Sequence, residues 1–174
     1  MSMRMYLQIF LLCMSISYIS LYAQEIQIPL DTAIHASVQI ETAHSFTDSL
    51  IAYGKTYVGL PYKTRNRAPW QLDCSGYVAM LYAHFGVILP RSSHAMAQAT
   101  QPIDIADAKP GDLIFFKGRD IGTNRVGHVA VIIAVSGTSL TMMHSTVHQG
   151  IIIETYPDAY YYTIRFVKIG RVVL

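Results

Sequence analysis

The chain has 174 residues, enough for one domain of ordinary size. Hydrophobic residues make up 52% of it and charged residues 14%, so there is ample material for a core. The formal net charge is only +2, and no basic run or basic–aromatic interleaving accompanies it, which argues against a nucleic-acid partner.

Part of the apolar excess sits at the start. Arg4 supplies a positive charge, Tyr6 to Met14 runs YLQIFLLCM, and Leu21-Tyr22-Ala23 ends in a small residue. A spanning helix needs about 20 mostly apolar residues, and this serine-rich segment is too short. It reads as a signal peptide over 1–23, cleaved after Ala23. Cys13 ends an apolar run and raises a lipid anchor as the alternative, although Leu11-Leu12 are large for that purpose. Residues 24–44 carry little pattern and read as a lead-in, with a domain over 45–174.

A helix is predicted from about Ser45 to Tyr57, where Leu50, Ile51, Tyr53, Gly54 and Tyr57 fall near one side. Ser45 or Thr47 could cap it, and Gly59-Leu60-Pro61 ends it, since proline lacks the donor a helix needs. Residues 63–72 read as a polar loop. Tyr77, Val78, Leu81, Tyr82 and Phe85 then recur at helical spacing, with Gly86 as the stop. Asp73 would cap this second helix and place Cys74 at its first position. A short polar helix or loop spans Arg91 to Gln101.

The remainder reads as sheet. Pro110-Gly111-Asp112 turns into the strand LIFFK. Further strands are predicted over Val126–Val135, Ser139–Ser145, Ile151–Tyr156 and Tyr160–Val173, rich in β-branched and aromatic residues. Helices first and strands afterwards give an α+β class, with N-terminal helices packed on a mostly antiparallel sheet.

With the signal removed, Cys74 is the one cysteine left, so no internal disulfide can form. A lone thiol is either a buried small hydrophobe or a reactive group. A helix N-terminus favours the thiolate, and a neighbouring histidine favours it further and can protonate a leaving amine. His128 opens one predicted strand and His144 lies toward the end of the next. If Ser136-Gly137-Thr138 forms a three-residue turn, Val135 faces Ser139 and His144 faces Ala130, two residues from His128 on the same face. Such diagonal neighbours lie about 7–8 Å apart at the backbone, so the two imidazoles can touch. A two-residue turn would put them on opposite faces. His35, His44, His84, His94 and His148 read as structural or surface histidines. A zinc site built on the cysteine and two histidines remains an alternative, without the close ligand spacings typical of such sites.

The motifs Gly59-Leu60-Pro61-Tyr62, Asp73-Cys74-Ser75-Gly76-Tyr77, Leu89-Pro90-Arg91-Ser92-Ser93, Lys109-Pro110-Gly111-Asp112-Leu113, Gly127-His128-Val129-Ala130-Val131 and His144-Ser145 follow one another in this order. The series resembles the NlpC family of bacterial cell-wall endopeptidases, over roughly Thr47 to Val173. The resemblance implies a papain-like fold and an exported enzyme, periplasmic or extracellular. It needs neither cofactor nor metal and acts on peptidoglycan stem peptides, at the bond between D-glutamate and diaminopimelic acid. It also implies Cys74 as nucleophile, His128 as base and then acid, and His144 as the residue orienting His128. Tyr62 would line the groove or help bind the oxyanion. Asp73 and Ser75 would hold the free amino end of the substrate, while Asp73 by itself reads equally as a helix cap. Arg91 reads as salt-bridging or packing. Where the family often has Trp-Gly-Gly, this chain has Lys63-Thr64-Arg65-Asn66, which bears on substrate preference. The same site could serve an amidase or acyl transferase, and the same fold a non-catalytic wall-binding protein.

Overall fold

The computed structural model describes residues 46–62, 72–158 and 160–174. The signal peptide expected over 1–23, the lead-in 24–44, Ser45 and the loop from Lys63 to Asn66 lie outside the described residues. The described elements are helix α1 (residues 46–55), α2 (Cys74–His84), α3 (Ser93–Ala99), β1 (Gln101–Ile103), β2 (Leu113–Lys117), β3 (Val126–Ser136), β4 (Ser139–Thr146), β5 (Gly150–Tyr156), the one-turn helix α4 (Tyr160–Thr163) and β6 (Phe166–Arg171). The strands form a six-stranded sheet in the order β1-β6-β2-β3-β4-β5, with every pairing antiparallel. This is the α+β arrangement expected from helices followed by strands.

Alternation along the strands divides the core between the two faces of the sheet. Leu113, Phe115, Val129, Val131 and Met143 join α1 and α2 in one cluster. Ile114, Phe116, Ala130, Ile132 and Met142 join Tyr156 and Tyr162 in the other. Each fully buried large aliphatic or Phe side chain contributes roughly 2 kcal/mol of transfer free energy, before the entropy of ordering it. Helix α2 is buried continuously from Ser75 to Tyr82, so it is a central helix and not an amphipathic one at the surface. Its two phenols find partners. Tyr77 donates to the Gly54 carbonyl at 2.8 Å, and Tyr82 donates to the Gly111 carbonyl.

Two segments differ from expectation. Tyr160–Val173 is not one strand, because Tyr160–Thr163 closes a helical turn before β6 begins. In a strand, Tyr160 and Tyr162 would share a face; in the turn, Tyr160 is exposed while Tyr162 packs onto Phe116 and the two histidines. Three-residue strand β1 also went unseen in the sequence, since it contains Pro102. It is an edge strand beside β6, where a missing donor is tolerated.

The candidate active site

Cys74 is the first residue of α2, and its position is fixed from both sides. Leu72 is fully buried, and its carbonyl accepts a hydrogen bond from Ser145 Oγ of β4 at 2.7 Å. Asp73 then caps the helix, its Oδ1 accepting from Gly76 N at 2.8 Å. Backbone groups of Ser75, Val129 and Cys74 favour the thiolate, as a helix start should. Burial, the largest influence, and the Asp73 charge outweigh them and raise the thiol pKa above its ordinary value. The resting group is therefore a thiol that needs a base, not a thiolate made by the helix alone.

The histidine pair comes from β3 and β4. The connecting turn has two residues, Gly137 and Thr138, with Ser136 facing Ser139 and Gly137 at φ 58°. The three-residue turn is thus corrected, and by itself the observed turn would put the histidines on opposite faces. A register shift between Ile132 and Ala134 inserts one residue into β3, after which Val131 faces Met143. Continued by one pair, that register sets His144 opposite Ala130, on the face of His128. The two rings meet at 2.8 Å between His128 Nε2 and His144 Nδ1, with centroids 5.0 Å apart.

His144 is fully buried. His128 is half-buried, its ring enclosed by Phe116, His144 and Tyr162 at centroid distances of 6.0, 5.0 and 5.9 Å. Burial and then the neighbouring His144 push its pKa down from 6.5 to about 3, so the ring is neutral near pH 7 and free to accept a proton. Gly127 precedes it at a point where a Cβ would lie 2.4 Å from Gly118 Cα, so only glycine lets the strand ends approach.

A second cluster stands beside Cys74. Arg91 grips Asp73 with both nitrogens, Nη1 to Oδ1 at 2.9 Å and Nη2 to Oδ2 at 3.0 Å, and Nη1 reaches Ser75 Oγ at 3.0 Å. Burial works against the Asp73 charge, but Arg91, the Gly76 N–H and Ser75 together hold its carboxyl below the usual range. Asp73 is thus helix cap and ion-pair partner at once. Tyr62 is half-buried nearby, and burial, then the charges of Cys74 and Asp73, raise its phenol pKa. Its segment is held to β5 by backbone bonds from Gly59 N to the Ile151 carbonyl at 2.8 Å and from Ile151 N to the Leu60 carbonyl at 2.9 Å.

Asp73, Ser75 and Tyr62 therefore surround Cys74, and Cys74 lies against the backbone of Val129, the residue after His128, which in turn meets His144. His84 stacks on Tyr53 at 3.8 Å, His94 pairs with Gln98, and His148 is exposed in the β4–β5 turn. Among the described residues, no group of three or more His, Cys, Asp and Glu side chains could hold a metal ion. Glu154 was missed in the sequence: its Oε1 lies 2.5 Å from His144 Nε2. The one signal available was its place two residues beyond Ile152, the partner of His144 on β5. Tyr162, misread as a strand residue, was missed for the same reason: its neighbours come from distant parts of the chain.

The family model described as NlpC/P60 family matches residues 59–171. The chain is 37% identical over 84 residues to the probable endopeptidase p60 of Listeria welshimeri, covering 48% of this chain and 15% of that protein. It is 37% identical over 86 residues to the gamma-D-glutamyl-L-lysine dipeptidyl-peptidase of Bacillus cereus, covering 49% of this chain and 26% of that protein. The matches thus span about a quarter or less of these curated relatives. The crystal structure of an NlpC/P60 family protein from Bacillus cereus superposes with a TM-score of 0.64 at 29% identity, covering 74% of this chain and 40% of that one. The matched span runs from the Gly59 segment that carries Tyr62 to the end of β6, and so includes the cysteine, both histidines and the whole sheet: the chain belongs to the NlpC/P60 family.

Proposed function

We propose that this chain is an exported cysteine peptidase that hydrolyses an amide bond in peptidoglycan stem peptides, the bond between D-glutamate and diaminopimelic acid. Residues 1–23 are its signal peptide, 24–44 a lead-in, and 45–174 the peptidase domain. Cys74 is the nucleophile, His128 the base, and His144 the residue that orients His128. The observation that carries this reading is a half-buried thiol at a helix start, set against the backbone of Val129, with the adjacent His128 neutral and its Nε2 2.8 Å from a second histidine. Membership of a family with members named endopeptidase and dipeptidyl-peptidase supports the substrate class.

The chemistry follows from the placement. His128 takes the Cys74 proton as sulfur attacks the amide carbon, forming the S–C bond and an oxyanion. In this reading the Cys74 backbone N–H receives that oxyanion, and Tyr62 lines the groove or helps to bind it. Collapse breaks the C–N bond, and His128 returns its proton to the departing amine. Water, deprotonated by His128, then attacks the thioester, and the thiol leaves with that proton. Asp73 and Ser75, organised by Arg91, hold the substrate's free amino end in this reading.

The test is incubation of the purified protein with muropeptides, followed by mass spectrometry, beside a Cys74→Ala control. Fragments split after D-glutamate are expected, with the control slower by at least about 10³-fold. Cleavage that survives in Cys74→Ala would remove the nucleophile assignment. Fragments joined to an added amine would show a transferase instead.

A further inference from the structure

Three side chains cross three neighbouring strands in a row: His128 on β3, His144 on β4 and Glu154 on β5. The step from β4 to β5 repeats the diagonal step from β3 to β4, since His144 faces Ile152 and Met142 faces Glu154. Glu154 Oε1 lies 2.5 Å from His144 Nε2. Both atoms are buried and carry no directed hydrogen bond, so the contact is a close approach that a small rotation converts into a bond. Buried polar atoms left in this state are costly, and they persist where they serve a purpose. Tyr162 from α4 stands near the same carboxylate, whose charge raises its phenol pKa after burial, and lies against both imidazoles, at centroid distances of 5.9 and 5.4 Å.

With Glu154 as the carboxylate and both imidazoles neutral, the proton count along this row has one solution. A carboxylate beside His144 Nε2 requires a proton on that nitrogen. His144 Nδ1 is then an acceptor, so His128 Nε2 must carry the proton they share at 2.8 Å. The lone pair of His128 is left on Nδ1, the nitrogen not engaged by His144. Without the carboxylate, either nitrogen of His144 could hold the proton, and half of the arrangements would leave His128 with its lone pair turned toward His144.

We propose that Glu154 is a positioning residue of the peptidase site: through His144 it fixes the tautomer of His128 so that Nδ1 is free to take the Cys74 proton. The same carboxylate stands where it offsets the charge of the imidazolium formed in that step. This rests on the assignment of Cys74 and His128 as nucleophile and base. The titratable groups facing the relay are Cys74 from α2, His128, His144 and Glu154 from β3 to β5, and Tyr162 from α4, with Phe116 of β2 closing the remaining side.

The experiment uses the whole protein and the Glu154→Leu, Glu154→Asp and Glu154→Gln variants. Nitrogen-15 shifts of the histidine rings report the tautomers, and iodoacetamide alkylation at pH 7 reports the thiolate. The wild type should hold both His144 and His128 protonated on Nε2. Glu154→Leu should lose that single tautomer and slow alkylation and peptide cleavage about tenfold, and Glu154→Asp should restore part of each. Glu154→Gln keeps the shape and an acceptor oxygen but removes the charge, so if the leucine variant does not fold it tests the counter-charge: the Nε2 tautomer of His144 is kept and alkylation slows. A wild-type His144 protonated on Nδ1, or folded variants that alkylate as fast as the wild type, overturns the proposal. The tautomers need no substrate, so a wild type with the expected tautomers and no cleavage of muropeptides refutes the peptidase reading instead.

Discussion

His128 shows how one enclosed side chain couples chemistry to stability. Its folded-state pKa of about 3 lies below the ordinary 6.5, so between these values the unfolded chain binds a proton that the folded chain refuses. The stability of the neutral ring is complete above about pH 6.5 and is lost as pH falls toward 3. His128→Asn removes the titrating group. Its urea midpoint should therefore decline less steeply than the wild type's across that window, and parallel slopes would show that other groups set the acid limit. Cys74, His128 and His144 were all legible as candidates, because a lone thiol at a helix start and histidines on predicted strands are patterns along the chain. Glu154 was not legible, since one acidic residue on a strand says nothing until its strand neighbours are known.

At the level of elements, the site depends on how strands and segments are fastened. Gly150 opens β5 at φ 71°, and a Cβ there would lie 2.1 Å from the Leu60 carbonyl oxygen. Gly150→Ala must therefore push the Leu60–Tyr62 segment away from β5. We expect a loss of about 2 kcal/mol or more in urea unfolding, together with slower turnover as Tyr62 moves. An unchanged midpoint would mean that the segment shifts freely. Ser145→Ala leaves the buried Leu72 carbonyl without its partner. That should cost about 1–3 kcal/mol and loosen the start of α2, read as a lower urea midpoint and faster amide exchange at Cys74. The β3–β4 pair carries a related lesson. The expected face of His144 was right, but it was reached through the wrong turn, because a two-residue turn and a bulge together give the same final register. Turn residues can be read from sequence; an inserted strand residue cannot, since nothing local distinguishes Ile133 from its neighbours.

For the whole molecule, stability rests on the two cores and on the closure of the sheet at β6. Arg171 of β6 binds Asp112 ahead of β2 through Nε–Oδ1 and Nη2–Oδ2, both at 2.7 Å, and Asp112 also accepts from Lys109 N at 2.8 Å. Asp112 is buried, whereas Arg171 is partly open to solvent. Arg171→Met strands the buried carboxylate and should cost about 2 kcal/mol in urea unfolding, while the alkylation rate of Cys74 stays near that of the wild type. A neutral result would show that water replaces the guanidinium. By itself, the sequence determined the helix that presents Cys74, five of the six strands (the last drawn too long at its start), the α+β class and the candidate cysteine and histidines, because caps, breakers and hydrophobic periodicity act over a few residues. Only the tertiary structure decided the register that joins His128 to His144, the helical turn that brings Tyr162 over them, the bidentate hold of Arg91 on Asp73, and the approach of Glu154. Each of these unites residues far apart in the chain or depends on which competing local conformation buries more surface, and neither is written in a short stretch of sequence.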